Sequence, residues 1–335
     1  METETSDFKL QYSALTCGVG VVVASDRTQL EFTGADRTKF LHNLCTNTVR
    51  DLPMGTGCET FILNVKGHIV GHGFVFICPA SIVLETVPGQ AEKLLAHFNR
   101  YLIREDVQVS DQSGDWAEFF LAGAQADECL THLNWPRLTE RLSHVAIAVD
   151  GGSVWLRKVD FAGPCGYLIA CERRMSGNIK SLLVAKGAIP CGDQAFQAAR
   201  IEFGTPFFGQ DIGEENLPQE IDRDRLAISF TKGCYLGQET VARIDALGHV
   251  NRLLRGIKFA GAEIPARGTA LFSAVESGSA QDAKNVGHVT SAYWSPRLQA
   301  PLALALASRT CASPGTRFRT PLGAAEIVTL PLIKP

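Results

Sequence analysis

The segment TKGCYLGQETVAR, residues 231–243, carries the most specific pattern in the 335-residue chain. It places Cys234 between a lysine–glycine pair and a tyrosine, and its two glycines bracket a tight turn before a predicted helix. A neighbouring lysine, Lys232, and the positive end of a helix both lower the pKa of an exposed thiol. Cys234 is therefore either a reactive thiol or one more small buried residue.

The other cysteines favour the buried alternative. Ten cysteines are scattered along the chain with no Cys-x-x-Cys pair and no cysteine–histidine cluster at zinc-ligand spacing. In a reducing compartment most of them are expected to pack as small hydrophobic residues. The histidine nearest to Cys234 in the sequence is His249, so no local thiol–base pair of the protease kind is present.

Composition describes a globular protein of two or three domains. Hydrophobic residues make up 45% of the chain, charged residues 20%, and the net charge is −3. We expect neither a nucleic-acid surface nor a membrane anchor, because no basic excess and no bilayer-length apolar run is present. The N-terminal METETSDFKL lacks the basic start of a targeting segment, and this predicts a cytoplasmic location.

The order of predicted elements indicates an α+β fold. Strands alternate with helices up to residue 245, and hairpins recur, for example at the turn Lys66–Gly67. Helices are predicted where Phe40, Leu41 and Leu44 share a face and from Pro88 onward. From residue 250 short strands split by Gly, Pro and Ser predict an all-β barrel or sandwich, with the polar segment 276–285 as one of its loops.

Glu202 lies on a predicted helix that begins near Asp193. The core face of this helix carries Phe196, Ala199 and Phe203, and Glu202 falls away from that face. It is therefore either a solvated surface acid or a carboxylate facing a cleft, where it could pair with the amino-pyrimidine edge of a ligand. The pair His68 and His72 lies on a strand without further ligands nearby, so we do not expect a metal site.

The octapeptide KGCYLGQE, residues 232–239, resembles the signature of the YgfZ family. Every fixed position of that family's pattern, Lys-Gly-Cys-aromatic-x-Gly-Gln-Glu, is matched. The family consists of folate-binding proteins of iron–sulfur cluster assembly and repair, related to the glycine cleavage system T protein, an aminomethyltransferase. Further resemblance covers residues 33–49, 63–69, 200–212 and 243–256.

The resemblance implies a T-protein-like folate-binding fold. Residues 1–245 are expected to form the folate-binding α+β region, as two interleaved modules with a boundary near residue 115. Residues 246–335 are expected to form a C-terminal antiparallel β-barrel. The three parts are expected to form a ring with tetrahydrofolate, or a folate derivative, in the central hole.

The resemblance also implies roles for individual residues. Glu202 is expected to bind the pterin ring, and Lys232 is expected to supply positive charge toward the folate carboxylate tail or a cluster intermediate. Cys234 offers a thiol near the folate cleft, so that Cys234 and Lys232 are the candidate catalytic residues. The remaining expected contacts to the ligand or its surrounding turn are Tyr235, Gln238, Glu239 and Arg243.

Departures from the T protein bear on the activity. The chain has Asn47–Thr48 where the T protein often has Asn-Asp, and residues 87–98 contain Glu92 but no aspartate. After Arg243 the usual basic and aromatic residues are replaced by Ile244–Leu247. The cysteine motif favours a tetrahydrofolate-binding protein that supports assembly or repair of 4Fe–4S clusters, with iron–sulfur client or assembly proteins as partners, and the missing aspartate argues against direct aminomethyl transfer. The alternatives are a T-protein-type aminomethyltransferase or methyltransferase and a folate-binding regulator without chemistry.

Overall fold

The computed structural model describes residues 2–273 and 284–332. The chain begins with helix α1 (Glu2–Thr16) and strand β1 (Gly20–Val23). The sequence did not predict α1, because its first residues are acidic and its apolar face is sparse. That face carries Phe8, Tyr12 and Leu15, and it packs against a later helix of the chain.

The first module is a five-stranded antiparallel sheet with two helices. Phe98 packs edge-on against Phe32 with ring centroids 5.0 Å apart, which joins the second helix to the sheet. This helix begins at Ala91, three residues later than predicted, because Pro88 and Gly89 remain in the preceding turn. The elements are β2 (Thr28–Thr33), α2 (Arg37–Leu44), β3 (Gly57–Leu63), β4 (Ile69–Ile77), β5 (Ile82–Thr86), α3 (Ala91–Tyr101) and β6 (Gln108–Asp111), in the sheet order β3-β4-β5-β2-β6.

The second module is a six-stranded sheet that includes β1. Because β1 precedes the first module in sequence but pairs in the second sheet, the two modules are interleaved. The elements are β7 (Trp116–Ala122), α4 (Ala126–His132), β8 (His144–Val149), β9 (Gly152–Val159), β10 (Gly166–Glu172), α5 (Ser176–Ala185) and β11 (Ile189–Cys191), in the sheet order β11-β1-β7-β10-β9-β8.

A helical connection leads from the second sheet to the C-terminal part. Helix α6 (Asp193–Phe203) begins where the sequence predicted it and ends at Gly204, whose φ of 83° gives the left-handed C-cap that glycine favours. It packs against α1 and the barrel. Two helices follow after a short 3-10 turn, α7 (Asp224–Ala227) and α8 (Gln238–Leu247).

The C-terminal part is a closed six-stranded antiparallel barrel, which confirms the predicted fold class. Its strands are β12 (Arg252–Phe259), β13 (Ala270–Ser273), β14 (Asn285–Ser295), β15 (Ala300–Ser308), β16 (Arg317–Thr320) and β17 (Gly323–Val328). The predicted loop at 276–285 lies outside the described residues up to residue 283. Among the described residues, no helix combines the length and apolar character needed to cross a bilayer.

Candidate functional site

The segment 231–243 docks against the hairpin between β3 and β4. Gly237 adopts a φ of 79°, and a Cβ atom there would lie 2.6 Å from the carbonyl oxygen of Asn64 and 3.0 Å from the Cα of Gly67. Only glycine tolerates both the backbone angle and this close approach. The Thr240 hydroxyl donates a hydrogen bond to the carbonyl of Lys66, and this fixes the first turn of α8 to the same hairpin.

Lys232 closes the C-terminal end of α2. Its ammonium group donates three hydrogen bonds, to the backbone oxygens of His42 (2.6 Å), Cys45 (2.7 Å) and Asn47 (2.8 Å). These bonds use all three donors of the group, at the helix end where a cation is favoured. The observed bonds give Lys232 a structural role and occupy all of its donors, while its expected role toward a folate tail or a cluster intermediate stays a prediction. Burial lowers the pKa of Lys232.

Replacement of Lys232 by methionine should therefore act on stability and leave ligand affinity unchanged. We expect the free energy of unfolding to fall by about 1–3 kcal/mol, because three backbone carbonyls lose a charged donor. Urea denaturation measures this loss, and replacing the exposed Lys180 by methionine provides the control. A stable Lys232→Met protein with weakened folate binding would restore the ligand role.

Cys234 is exposed, unlike most of the cysteines. Cys17 is the other exposed thiol, whereas burial raises the pKa of Cys171 and Cys191 to about 11 and makes them poor nucleophiles. The structure thus separates Cys234 from the buried cysteines. Its neighbour Tyr235 is buried, and the Lys232 ammonium lies 4.9 Å from the centre of the tyrosine ring.

The remaining expected residues of this segment surround the turn. Gln238 accepts a hydrogen bond from the backbone N–H of Tyr235 through Oε1 at 3.3 Å. Glu239 and Arg243 are exposed on α8. Their contact with a ligand stays a prediction.

Glu202 belongs to a closed polar network and not to a cleft. Its side chain is fully buried, Oε2 accepts a hydrogen bond from the Tyr12 hydroxyl, and Oε1 accepts one from the Ser295 hydroxyl. Arg297 lies 3.4 Å from Oε2. The carboxylate therefore joins α1, α6 and the barrel, which corrects both the surface-acid interpretation and the expectation of a carboxylate facing a cleft. Its contact with a pterin stays a prediction.

A cavity of about 650 Å³ lies beside the N-terminal half of α6. Four phenylalanine rings of its wall contact one another in a closed circuit, with centroid distances between 5.3 and 6.2 Å. They are Phe120, Phe161, Phe196 and Phe207. Such a wall offers flat apolar surfaces to an aromatic ligand.

Polar groups complete this cavity, which we call the phenylalanine cavity. Arg27 is the single lysine or arginine among its described lining residues, and its guanidinium carbon lies 5.0 Å from the ring centre of Phe161. The exposed carboxylates Asp26 and Asp193 also line it. The amide side chains are those of Gln90, Gln197 and Gln210.

The stretch 87–98 contributes residues to the wall of the phenylalanine cavity, but none of them is acidic. Val87, Pro88 and Gln90 line the wall, whereas Glu92 is exposed on α3. The described lining residues also include neither Cys234 nor Glu202. The sequence therefore identified two separate places, the segment 231–243 and the Glu202 network, and missed the cavity itself.

The residues of the cavity wall come from several distant segments. The sequence predicted Phe196 only as a core residue of its helix, and Phe207 appeared only within the resembling segment 200–212. Arg27 follows β1 in an ordinary Ser-Asp-Arg turn, and no sequence pattern around it predicts a ligand-binding residue. Only folding brings it beside α6.

A cluster of buried charges lies behind Arg27. Its Nε donates a hydrogen bond to Glu85 Oε1 and lies 3.9 Å from Glu118 Oε2. Arg157 donates a hydrogen bond of 2.8 Å from Nη1 to Glu118 Oε1. All four side chains are at most 7% exposed. Burial, reinforced by the negative charge of Glu85, raises the pKa of Glu118 to about 8.

A second buried charge cluster surrounds Glu59. Its carboxylate accepts hydrogen bonds from Arg223 and Arg141, and it contacts His72 Nε2 at 2.7 Å. Burial alone would raise the pKa of Glu59, but Arg223, followed by His72, holds it well below its usual range. The cluster links the first sheet to the second module and to the connection before α7.

Comparison with known proteins matches almost the whole chain. Residues 6–232 match the family described as the GCVT N-terminal domain, and residues 252–334 match the glycine cleavage T-protein C-terminal barrel domain. The crystal structure of the glycine cleavage system aminomethyltransferase T from Bartonella henselae superimposes with a TM-score of 0.86 at 18% identity. It covers 97% of this chain and 89% of that one, and this shows the shared fold.

Several curated proteins are similar in sequence. Aminomethyltransferases from Synechococcus sp. (strain CC9311) and Rubrobacter xylanophilus are 25% and 27% identical, over 95% and 91% of this chain and 87% and 80% of their own lengths. A chloroplastic "putative transferase" of Arabidopsis thaliana is 27% identical over 82% of this chain, which spans 62% of that protein's length.

Proposed function

Because the chain belongs to the glycine cleavage T-protein family, we propose that it binds tetrahydrofolate or a derivative in the phenylalanine cavity and acts in folate-dependent one-carbon transfer. The observation that carries this proposal is the closed circuit of four phenylalanine rings, beside which Arg27 is the one lysine or arginine among the described residues of the wall.

The cavity fits the chemistry of a folate. Its volume of about 650 Å³ lies within the roughly 300–1,000 Å³ of small-molecule sites. The ring circuit provides surfaces for a planar pterin and a benzoyl ring, and Asp26 and Asp193 provide acceptors for amino groups. Tetrahydrofolate would supply the nitrogen that accepts or releases the one-carbon unit, and the chain's own residues bind and orient it.

The names of the similar proteins favour transfer as the activity. Relatives that cover most of this chain are aminomethyltransferases. Residues 87–98 contribute no aspartate to the cavity, so Asp26 and Asp193 are the carboxylates positioned to orient the folate nitrogens.

A second candidate function is support of 4Fe–4S cluster assembly or repair in client enzymes, as in the YgfZ family. The exposed thiol of Cys234, held on a rigid turn by Gly237, favours it. In this function the partners are iron–sulfur client or assembly proteins, and a cytoplasmic location stays a prediction.

One assay separates the two functions. The purified protein is incubated with an aminomethylated carrier protein and tetrahydrofolate, and methylene-tetrahydrofolate is quantified. Product formed above a protein-free control supports transfer, and its absence in a protein that binds tetrahydrofolate favours cluster support.

Calorimetric titration with tetrahydrofolate tests the site. Replacing Phe196 by alanine should weaken binding about 5- to 100-fold, since a stacking aromatic surface worth about 1–3 kcal/mol is lost. Replacing Glu202 by glutamine keeps the shape of its network and should leave the affinity unchanged. Unchanged affinity in Phe196→Ala together with weakened affinity in Glu202→Gln would place the pterin at Glu202 and not in the phenylalanine cavity.

Complementation tests the thiol. In a strain that lacks its own member of the family, the Cys234→Ala protein should fail to restore 4Fe–4S enzyme activity if the chain supports clusters. The matched control is Cys17→Ala, which removes the other exposed thiol. Full rescue by Cys234→Ala would assign Cys234 a structural role and remove the observation that favours cluster support.

A further inference from the structure

The cluster behind Arg27 holds two buried carboxylates, each with one oxygen that lacks a hydrogen-bond partner. Glu85 Oε2 and Glu118 Oε2 are both buried, and neither has a hydrogen-bond partner among residues 2–273 and 284–332. Two carboxylates that share one arginine at short range disfavour each other's ionisation. The pair therefore holds a proton readily, and burial raises the pKa of Glu118 to about 8.

Protonation leaves the cavity wall positively charged. With Glu118 neutral, the cluster consists of two guanidinium groups, those of Arg27 and Arg157, and one carboxylate, that of Glu85. One positive charge is thus uncompensated in a buried position, which is unfavourable unless an anion approaches.

Arg27 is the member of the cluster that a ligand can reach. It lines the phenylalanine cavity, and within the described part of the chain its guanidinium group donates hydrogen bonds to protein through Nε alone. The terminal nitrogens therefore remain for a planar, bidentate acceptor. The rings of Phe161 and Phe207 flank the guanidinium at 5.0 and 5.8 Å and fix its orientation.

We propose that Arg27 binds a carboxylate of the ligand in the phenylalanine cavity, and that this carboxylate binds in preference when Glu118 behind Arg27 is protonated. For a folate, this group is a carboxylate of the glutamate moiety. The inference rests on the proposed function only for the identity of the ligand. Arg27 thereby replaces Lys232 as the group expected to receive the carboxylate tail.

The surrounding groups leave Glu118 as the titrating member near neutral pH. Burial raises the pKa of the Cys171 thiol on the adjacent strand to about 11, so this thiol does not titrate near neutral pH. Burial lowers the pKa of His144, which lies near Arg157, to about 4, so this imidazole is neutral. Ionised Glu118 competes with the ligand for Arg27, and affinity should therefore fall as pH rises through 8.

Calorimetry with three probes tests this inference. They are 5-formyl-tetrahydrofolate, p-aminobenzoylglutamate, which has the carboxylates without the pterin, and a tetrahydropterin, which has neither carboxylate. For both carboxylate probes, the dissociation constant should rise about tenfold between pH 7 and pH 9. The affinity for the tetrahydropterin should not depend on pH. In the Glu118→Gln protein, the affinity for the two carboxylate probes should also be independent of pH.

A charge-balanced variant tests Arg27 while preserving the fold. Arg27→Met combined with Glu85→Gln removes one charge of each sign, and circular dichroism checks the fold. The variant should bind both carboxylate probes at least tenfold more weakly at pH 7, and its affinity for the tetrahydropterin should be unchanged.

The outcomes separate this inference from the proposed function. Binding of p-aminobenzoylglutamate with the expected pH dependence, but no binding of the folate, would overturn the proposed function alone. Folate binding that is independent of pH, or equally dependent in Glu118→Gln, would overturn the role of Glu118. Unchanged affinity in the charge-balanced variant would overturn the role of Arg27.

Discussion

Replacement of Glu59 by glutamine is expected to lower the free energy of unfolding by about 3–5 kcal/mol. Glu59 is fully buried, and Arg223, Arg141 and His72 converge on its carboxylate. A neutral amide would leave two guanidinium groups without their shared anion, and its NH₂ group would point a donor at other donors. Chemical denaturation at pH 7 measures the loss.

The pH dependence distinguishes this ion cluster from a packing effect. The pKa of Glu59 is held below its usual range in the folded protein. Its stabilisation is therefore complete above the unfolded-state pKa of about 4.3 and is lost as pH falls below that value. The difference between wild type and Glu59→Gln should accordingly shrink in acid. A pH-independent difference would contradict the electrostatic explanation.

A matched control is available on the surface. Glu172 pairs with Arg174 at 2.6 Å, but both side chains are largely exposed. Glu172→Gln should leave the free energy of unfolding nearly unchanged, since water screens such pairs. An equal loss in both variants would show that the burial of Glu59 is not what makes it important.

Replacement of Asp211 by alanine is expected to have an effect of similar size, about 3–5 kcal/mol, and also to weaken ligand binding at least tenfold. Asp211 Oδ2 accepts hydrogen bonds from Arg200 Nη1 (2.9 Å) and from the backbone N–H of Phe207 (3.0 Å). Oδ1 accepts hydrogen bonds from the hydroxyls of Thr290 (2.7 Å) and Ser291 (2.6 Å). One carboxylate thus holds α6, a cavity phenylalanine and the barrel together.

Two measurements are needed for Asp211→Ala. Denaturation gives the cost of leaving Arg200, which is fully buried, without its anion. Titration with a folate at a temperature where the variant is folded gives the effect of releasing Phe207 from its position. Asp150→Asn, in an exposed turn, is the control for both. Lost stability with unchanged affinity would show that Phe207 keeps its place without Asp211.

The sequence predicted local elements well wherever a periodic pattern was strong. The helix from Asp193 and the hairpin turn at Lys66–Gly67 occur as expected, because apolar spacing and glycine act over a few residues. The helix α1 was missed, since its apolar residues become a pattern only when α6 and the barrel are present to cover them.

The sequence did not reveal the environment of a side chain whose partners are distant in the chain. Lys232 looked like a free cation beside a thiol, yet its three acceptors lie at residues 42–47. Glu202 looked exposed on its own helix, yet Tyr12 and Ser295 bury it. Neither partner set follows from the local pattern of the residues concerned.

By itself the sequence determined the α+β class, the C-terminal β-strands and the tight glycine turn beside Cys234, because these follow from periodicity and backbone freedom within short segments. The tertiary structure alone decided which charges are compensated and where the phenylalanine cavity lies. Glu85, Glu118 and Arg157 come from two sheets, and Arg27 comes from the turn between β1 and β2. Electrostatic interactions act through space over a few ångströms, and only the completed fold sets those distances.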